Sequence, residues 1–194
     1  MVKLIGKNKI KCAVFISGRG SNLKSILKFS KKKSSKFNIK LVVSNKKFAP
    51  GISIAKKNKV NFKIVNYKSI KEAERQILNC LNKNNIEFII LAGFMKILSK
   101  YFIKKFRNKI INIHPSLLPK YKGLNTHEKT IRNREKFSGC TIHLVNEKLD
   151  SGKIIMQKKV KILNLDTPDS LAKRILKEEN RIYPKVINKV LSRI

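Results

Sequence analysis

Four consecutive apolar residues, Phe88-Ile89-Ile90-Leu91, close a strand expected over Glu87 to Leu91 and stop abruptly at Ala92-Gly93. A strand that is apolar at every position has no solvent face, so it belongs inside a parallel sheet covered on both sides by helices. The same punctuation occurs earlier, where the β-branched run Ile10 to Ile16 ends in Ser17-Gly18-Arg19-Gly20-Ser21-Asn22 and is followed by helical spacing at Leu23, Ile26 and Leu27. Further strands are expected at Ile39 to Val43, Phe62 to Val65, Lys109 to Ile113, Cys140 to Val145 and Ile154 to Val160. Helices are expected at Ile52 to Lys57, Ser69 to Asn82, Lys100 to Phe106, Thr126 to Arg134 and Ser170 to Leu191. This alternation predicts an α/β fold with a doubly wound, mostly parallel, Rossmann-like sheet, to which the last two strands add an antiparallel edge. With 194 residues and no linker or repeat, one domain over 1–194 is expected.

In such a sheet, function lies beyond the carboxyl ends of the strands. Three loops qualify: Ser17 to Asn22, Gly93 to Leu98, and Asn112 to Gly123. The first can turn backbone N–H groups towards an anion at a helix N-terminus, although an ordinary strand-to-helix turn would use the same residues. A dinucleotide fingerprint would need a third glycine where Leu23 stands. The third loop leaves a strand whose alternation puts Asn112 and His114 side by side, with Pro115 ending the strand. An amide and an imidazole held together can donate to one developing oxyanion; a histidine that merely caps its loop is the alternative. A final stretch, Gly139 to Gly152, carries Thr141, His143 and Val145 on one strand face and ends at Asp150, which could equally serve as an Asx-turn former. The chain has only three Asp and three His, so their placement is informative.

The net charge of +35 ordinarily suggests nucleic acid. Here it comes from 38 Lys against 8 Arg, scattered over nearly every segment and accompanied by 27 Ile and 19 Asn. That pattern fits A/T-rich codon drift better than a phosphate-reading surface, so no nucleic-acid partner is expected. No apolar run is long enough for a membrane span, and the basic start is not followed by a signal-peptide core, which predicts a cytoplasmic protein. Cys12, Cys80 and Cys140 lack metal-ligand spacing and are expected to be reduced and buried.

Taken together, Ile16 to Leu23, Leu91 to Ser99, Asn112 to Gly123 and Gly139 to Gly152 closely resemble the phosphoribosylglycinamide formyltransferases, folate-dependent enzymes of purine synthesis. The resemblance spans nearly the whole chain. It implies formyl transfer from 10-formyltetrahydrofolate, as co-substrate and without metal, to the amine of glycinamide ribonucleotide, by a monomer or homodimer. By matching position it implies Asn112, His114 and Asp150 as the catalytic trio; the chemistry then makes Thr141 and His143 supports of Asp150 and an ordered water rather than reactants. It implies Gly20, Ser21 and Asn22 as the phosphate loop and Glu179 as the ribose ligand. Lys71, Met95, Lys96, Ile97, Leu98 and Val145, with Asn112 and Asp150, are implied as the folate pocket.

The chain departs from that pattern at Lys71 and Lys96, where arginine is common, at Leu176, where some members place a polar contact, and at Asn125, where some have histidine. These changes bear on affinity, since lysine keeps the charge but loses bidentate reach. The sister methionyl-tRNA formyltransferases and formyltetrahydrofolate deformylases carry an additional domain, which is not expected within 194 residues. A basic RNA-binding module is the rival of another class, and it would show steeply salt-dependent RNA retention with no formyl transfer.

Overall fold

The first strand, β1 (Ile10–Ile16), divides its side chains between two cores. Cys12, Val14 and Ile16 enter one, Ala13 and Phe15 the other, and all five are fully buried. A central strand with apolar residues in both registers therefore organises the molecule from the middle outward. The computed structural model describes residues 9–193. The basic start used above to argue against a signal peptide, and both extremes of the expected 1–194 domain, lie outside the described residues.

After β1 the chain runs through α1 (Ser21–Ser30), β2 (Phe37–Ser44), α2 (Pro50–Lys57), β3 (Asn61–Ile64), α3 (Ile70–Lys83), β4 (Phe88–Leu91) and α4 (Lys100–Lys105). It continues through β5 (Ile110–His114), α5 (Thr126–Arg132), β6 (Phe137–Leu144), β7 (Ile154–Lys161) and α6 (Pro168–Leu191). The strands form one seven-stranded sheet in the order β3-β2-β1-β4-β5-β6-β7. Pairing is parallel from β3 to β5 and antiparallel for β5–β6 and β6–β7. The expected mostly parallel sheet with an antiparallel edge is thus observed. Element ends move by one to three residues; β6, for example, begins at Phe137 rather than Cys140.

One core packs β1, β2, β4, β5 and β6 against α1 and α6, through residues such as Ile26, Ile175 and Ile187. The other packs the opposite sheet face against α3 and α4, through Ile77, Leu81 and Phe102. Helix α6 opens with a reciprocal capping box between Thr167 and Ser170. Deep within it, the buried Tyr183 hydroxyl lies 2.8 Å from the Leu91 carbonyl and 3.1 Å from that of Ile111. That hydroxyl ties α6 to the carboxyl end of β4 and to the start of β5. Cys12 and Cys140 are buried free thiols, and burial pushes the Cys140 thiol up to about 12. Cys80 corrects the expectation of three buried cysteines, because its place on α3 leaves it partly exposed. Among the described residues, no helix is long and apolar enough to cross a membrane, and no group of three or more His, Cys, Asp or Glu side chains could hold a metal ion.

Candidate active site

Strand order reverses at β1, with β2 and β3 on one side and β4 onward on the other, which opens a crevice at the carboxyl ends of β1 and β4. The three loops singled out in the sequence leave β1, β4 and β5 at this edge. Asn112 and His114 pair in register with His143 and Thr141 of the antiparallel neighbour β6. Direct pairing puts four polar side chains of two strands on one face.

Hydrogen-bond inventory fixes the tautomers. His143 Nδ1 lies 2.8 Å from the Leu144 carbonyl, which can only accept, so Nδ1 carries the proton. The Nε2 of the neutral ring then accepts from Asn112 Nδ2 at 3.2 Å. Burial lowers the His143 pKa, outweighing the Leu144 hydrogen bond and the Asp150 charge that act to raise it, and so keeps the ring neutral. One N–H of the Asn112 amide is therefore committed and the other is left to point elsewhere. His114 Nε2 donates to the Tyr121 carbonyl at 2.8 Å, and its Nδ1 faces Asp150 Oδ2 at 3.4 Å. Asp150, in a left-handed conformation (φ 44°), also accepts from the Gly123 N–H at 2.9 Å. Its other oxygen lies 3.7 Å from His143 Nε2, whose lone pair makes this a contact rather than an ion pair. Asp150 reaches the site because Gly152 lets the chain turn back against the Leu144 carbonyl, where a Cβ would collide.

Thr141 departs from its expected place beside Asp150. Its hydroxyl donates to the Ser116 carbonyl at 2.6 Å and accepts from the Leu118 N–H and from Gln157 Nε2, so it braces the loop leaving His114. His127, in the first turn of α5, was not singled out from sequence. Burial and the neighbouring His114 lower its pKa, and its Nδ1 is buried without a hydrogen-bond partner among the described residues. Only the fold brings it near His114.

At the end of β1, Gly20 adopts φ 76° and opens α1 without a side-chain cap. A Cβ on Gly20 would lie 2.7 Å from the Gly51 Cα, and one on Gly51 would lie 2.5 Å from Ile16 Cδ1. Gly51, another residue missed from sequence, lets α2 close against this loop. Asn22 Nδ2 donates to Glu179 Oε2 at 2.8 Å, joining α1 to α6 across 157 positions. Glu179 is buried, which pushes its carboxyl up to about 7, while Asn22 Oδ1 has no partner among the described residues.

The loop after β4 presents Met95 (62% exposed), Lys96 and Ile97 (69% exposed) to solvent, while Leu98 is buried. Lys96 Nζ stands 6.0 Å from the Tyr67 ring centre, and Tyr67 packs edge-on against Phe94. Val145 is partly buried at the end of β6, and Lys71 is exposed in the first turn of α3.

The formyl transferase family profile matches residues 10–187, and the chain belongs to that family. Within it, the chain is 40% identical over 180 residues to phosphoribosylglycinamide formyltransferase of Haemophilus influenzae, covering 91% of this chain and 85% of that one. It is 40% identical over 191 residues to the trifunctional purine biosynthetic protein adenosine-3 of Gallus gallus, covering 97% of this chain but about a fifth (19%) of that relative's length. The phosphoribosylglycinamide formyltransferase of Anaplasma phagocytophilum superposes with a TM-score of 0.91 at 40% identity, covering 95% and 88% of the two chains. The Brucella melitensis enzyme of the same name gives 0.90 at 36%, covering 95% and 96%.

Proposed function

We propose that the protein transfers a formyl group from 10-formyltetrahydrofolate to the amine of glycinamide ribonucleotide, with Asn112, His114 and Asp150 as catalytic residues. The observation that carries this reading is the His114–Asp150 pair, 3.4 Å apart beside an Asn112 amide already oriented by His143. As the amine attacks the formyl carbon, negative charge grows on the formyl oxygen. The free N–H of Asn112 and a proton on His114 Nδ1 are the donors available to it. Asp150 Oδ2 faces that nitrogen at 3.4 Å, too far to engage it fully, so the oxyanion can compete for the donor. The amine must lose a proton and the folate nitrogen must gain one as the carbon–nitrogen bond to the folate breaks. Asp150 Oδ1, to which no group among the described residues donates, is the acceptor proposed to hand that proton on directly or through water.

Substrate binding follows the same residues. The uncapped N-terminus of α1 at Gly20, Ser21 and Asn22 suits the nucleotide phosphate. Glu179 and the orphaned Asn22 Oδ1 are acceptors suited to sugar hydroxyls, which are donors. Met95 and Ile97 offer apolar surface to the folate, with Val145 and Leu98 behind them and the Lys96 and Lys71 charges available to its carboxylates. The test is an absorbance assay for loss of the formyl group from 10-formyl-5,8-dideazafolate. Turnover is expected only when glycinamide ribonucleotide is present; no turnover with the nucleotide would reject the proposal.

A further inference from the structure

Ser17, buried at the end of β1, touches both sides of the crevice at the switch point. Its N–H donates to the Gly93 carbonyl at 3.1 Å, and its Oγ accepts from the Met95 N–H at 2.7 Å. A backbone N–H can only donate, so the Ser17 hydroxyl proton must go elsewhere, and it goes to Asn45 Oδ1 at 2.5 Å, just past the end of β2. Asn45 thereby locks the hydroxyl rotor and aims an oxygen lone pair at Met95. At the other end of the loop, the buried Glu74 carboxylate of α3 accepts from the Ser99 N–H at 2.6 Å and from the Ser99 hydroxyl. The backbone from Gly93 to Ser99 is thus pinned at both ends, while Met95 and Ile97 project outward with most of their surface free. A wall built this way meets a ligand with little left to order, which lowers the entropic cost of binding.

We infer that Ser17 and Asn45 form a positioning relay that holds the first half of the Gly93–Leu98 loop in the shape that receives the folate. The inference rests on the formyl-transfer reading above. Ser17 also precedes the Gly18–Asn22 loop, so a single residue sets the spacing between the two binding loops. Its hydroxyl joins Asn45 to the Met95 N–H, whereas the Gly18 carbonyl in the phosphate loop is held by the Gly51 N–H at 3.1 Å. Removing the hydroxyl should therefore affect one ligand and spare the other.

The experiment measures binding of the unreactive 5,8-dideazafolate by calorimetry, together with steady-state constants, for wild type, Ser17→Ala, Asn45→Ala, the double variant and Asn45→Asp. Loss of one neutral hydrogen bond predicts a rise of roughly five- to tenfold in folate Kd and KM for each alanine variant. kcat and the nucleotide KM should stay within about twofold of wild type. Because both residues act through the same N–H, the double variant should be no worse than Ser17→Ala, and Asn45→Asp, which keeps the acceptor, should bind folate like wild type. Unchanged folate Kd in both alanine variants, additive losses, or an equal rise in both substrates' KM would each overturn the relay. Failure of the wild type to bind 5,8-dideazafolate would instead reject the formyl-transfer reading and the relay's ligand with it. Asn45 is only partly buried, so its variants provide the test even where Ser17→Ala folds poorly.

Discussion

Asp150 Oδ2 lies 3.4 Å from His114 Nδ1, with the two side chains 8% and 7% exposed. An Asx-turn former would direct its carboxylate to its own loop, whereas Asp150 spans to the Gly123 N–H and the imidazole of another strand. Asp150→Asn keeps an acceptor for Gly123 but supplies no charge. It should fold normally, bind both substrates within a few fold and lose orders of magnitude in kcat. Near wild-type turnover in stopped-flow measurements would remove Asp150 from the mechanism.

His114→Ala should lower kcat by about 10² to 10³, as expected for loss of one oxyanion donor, with little change in melting temperature. Parallel loss of stability and activity would mean that the ring chiefly caps its loop through the Tyr121 carbonyl.

Thr141 predicts the opposite signature. Thr141→Val leaves the Ser116 carbonyl, the Leu118 N–H and the Gln157 amide without their shared hydroxyl. Denaturant unfolding should show a loss of about 2–3 kcal/mol, the cost of unsatisfied buried groups. Turnover of the folded fraction should change far less than in Asp150→Asn.

Ser21→Asp places a negative charge at the uncapped start of α1. The nucleotide KM should rise by about tenfold or more while the folate KM holds, and sulfate should compete with the nucleotide in the wild type. An unchanged nucleotide KM would move the phosphate elsewhere.

Glu179 ties stability to pH. Its carboxyl ionises at about 7 when folded, because of burial, against 4.5 ordinarily. Between those values the folded chain keeps a proton that the unfolded chain releases, so stability falls as pH rises from 4.5 to 7 and levels off above. The span corresponds to about 3 kcal/mol at most. Glu179→Gln should flatten this slope and raise the melting temperature at pH 8 while weakening nucleotide binding. A melting temperature that falls at pH 8 would show that the ionised carboxylate is stabilising.

Much of this architecture follows from local pattern. β1, with apolar residues in both registers, and Phe88–Leu91, with no polar position, can be buried only between two helical layers, so the parallel sheet is legible from period and punctuation. Asn112 and His114 share a face through strand alternation alone, and the glycines after β1 announce a turn. The likeness to a known family added roles at positions where residue type by itself left a turn or a cap equally open.

Tertiary structure decided what depends on partners distant in the chain. The register of β5 against β6 set Asn112 beside His143 and sent the Thr141 hydroxyl to the Ser116 loop rather than to Asp150. The Asn22–Glu179 bond, the Gly20–Gly51 approach and the Asn45–Ser17–Met95 chain join residues 157, 31, 28 and 78 positions apart. Sequence patterns report which face a residue occupies, because backbone geometry repeats locally. They do not report which donor meets which acceptor across a sheet, because that is settled only when strand order and register bring the partners within hydrogen-bond distance.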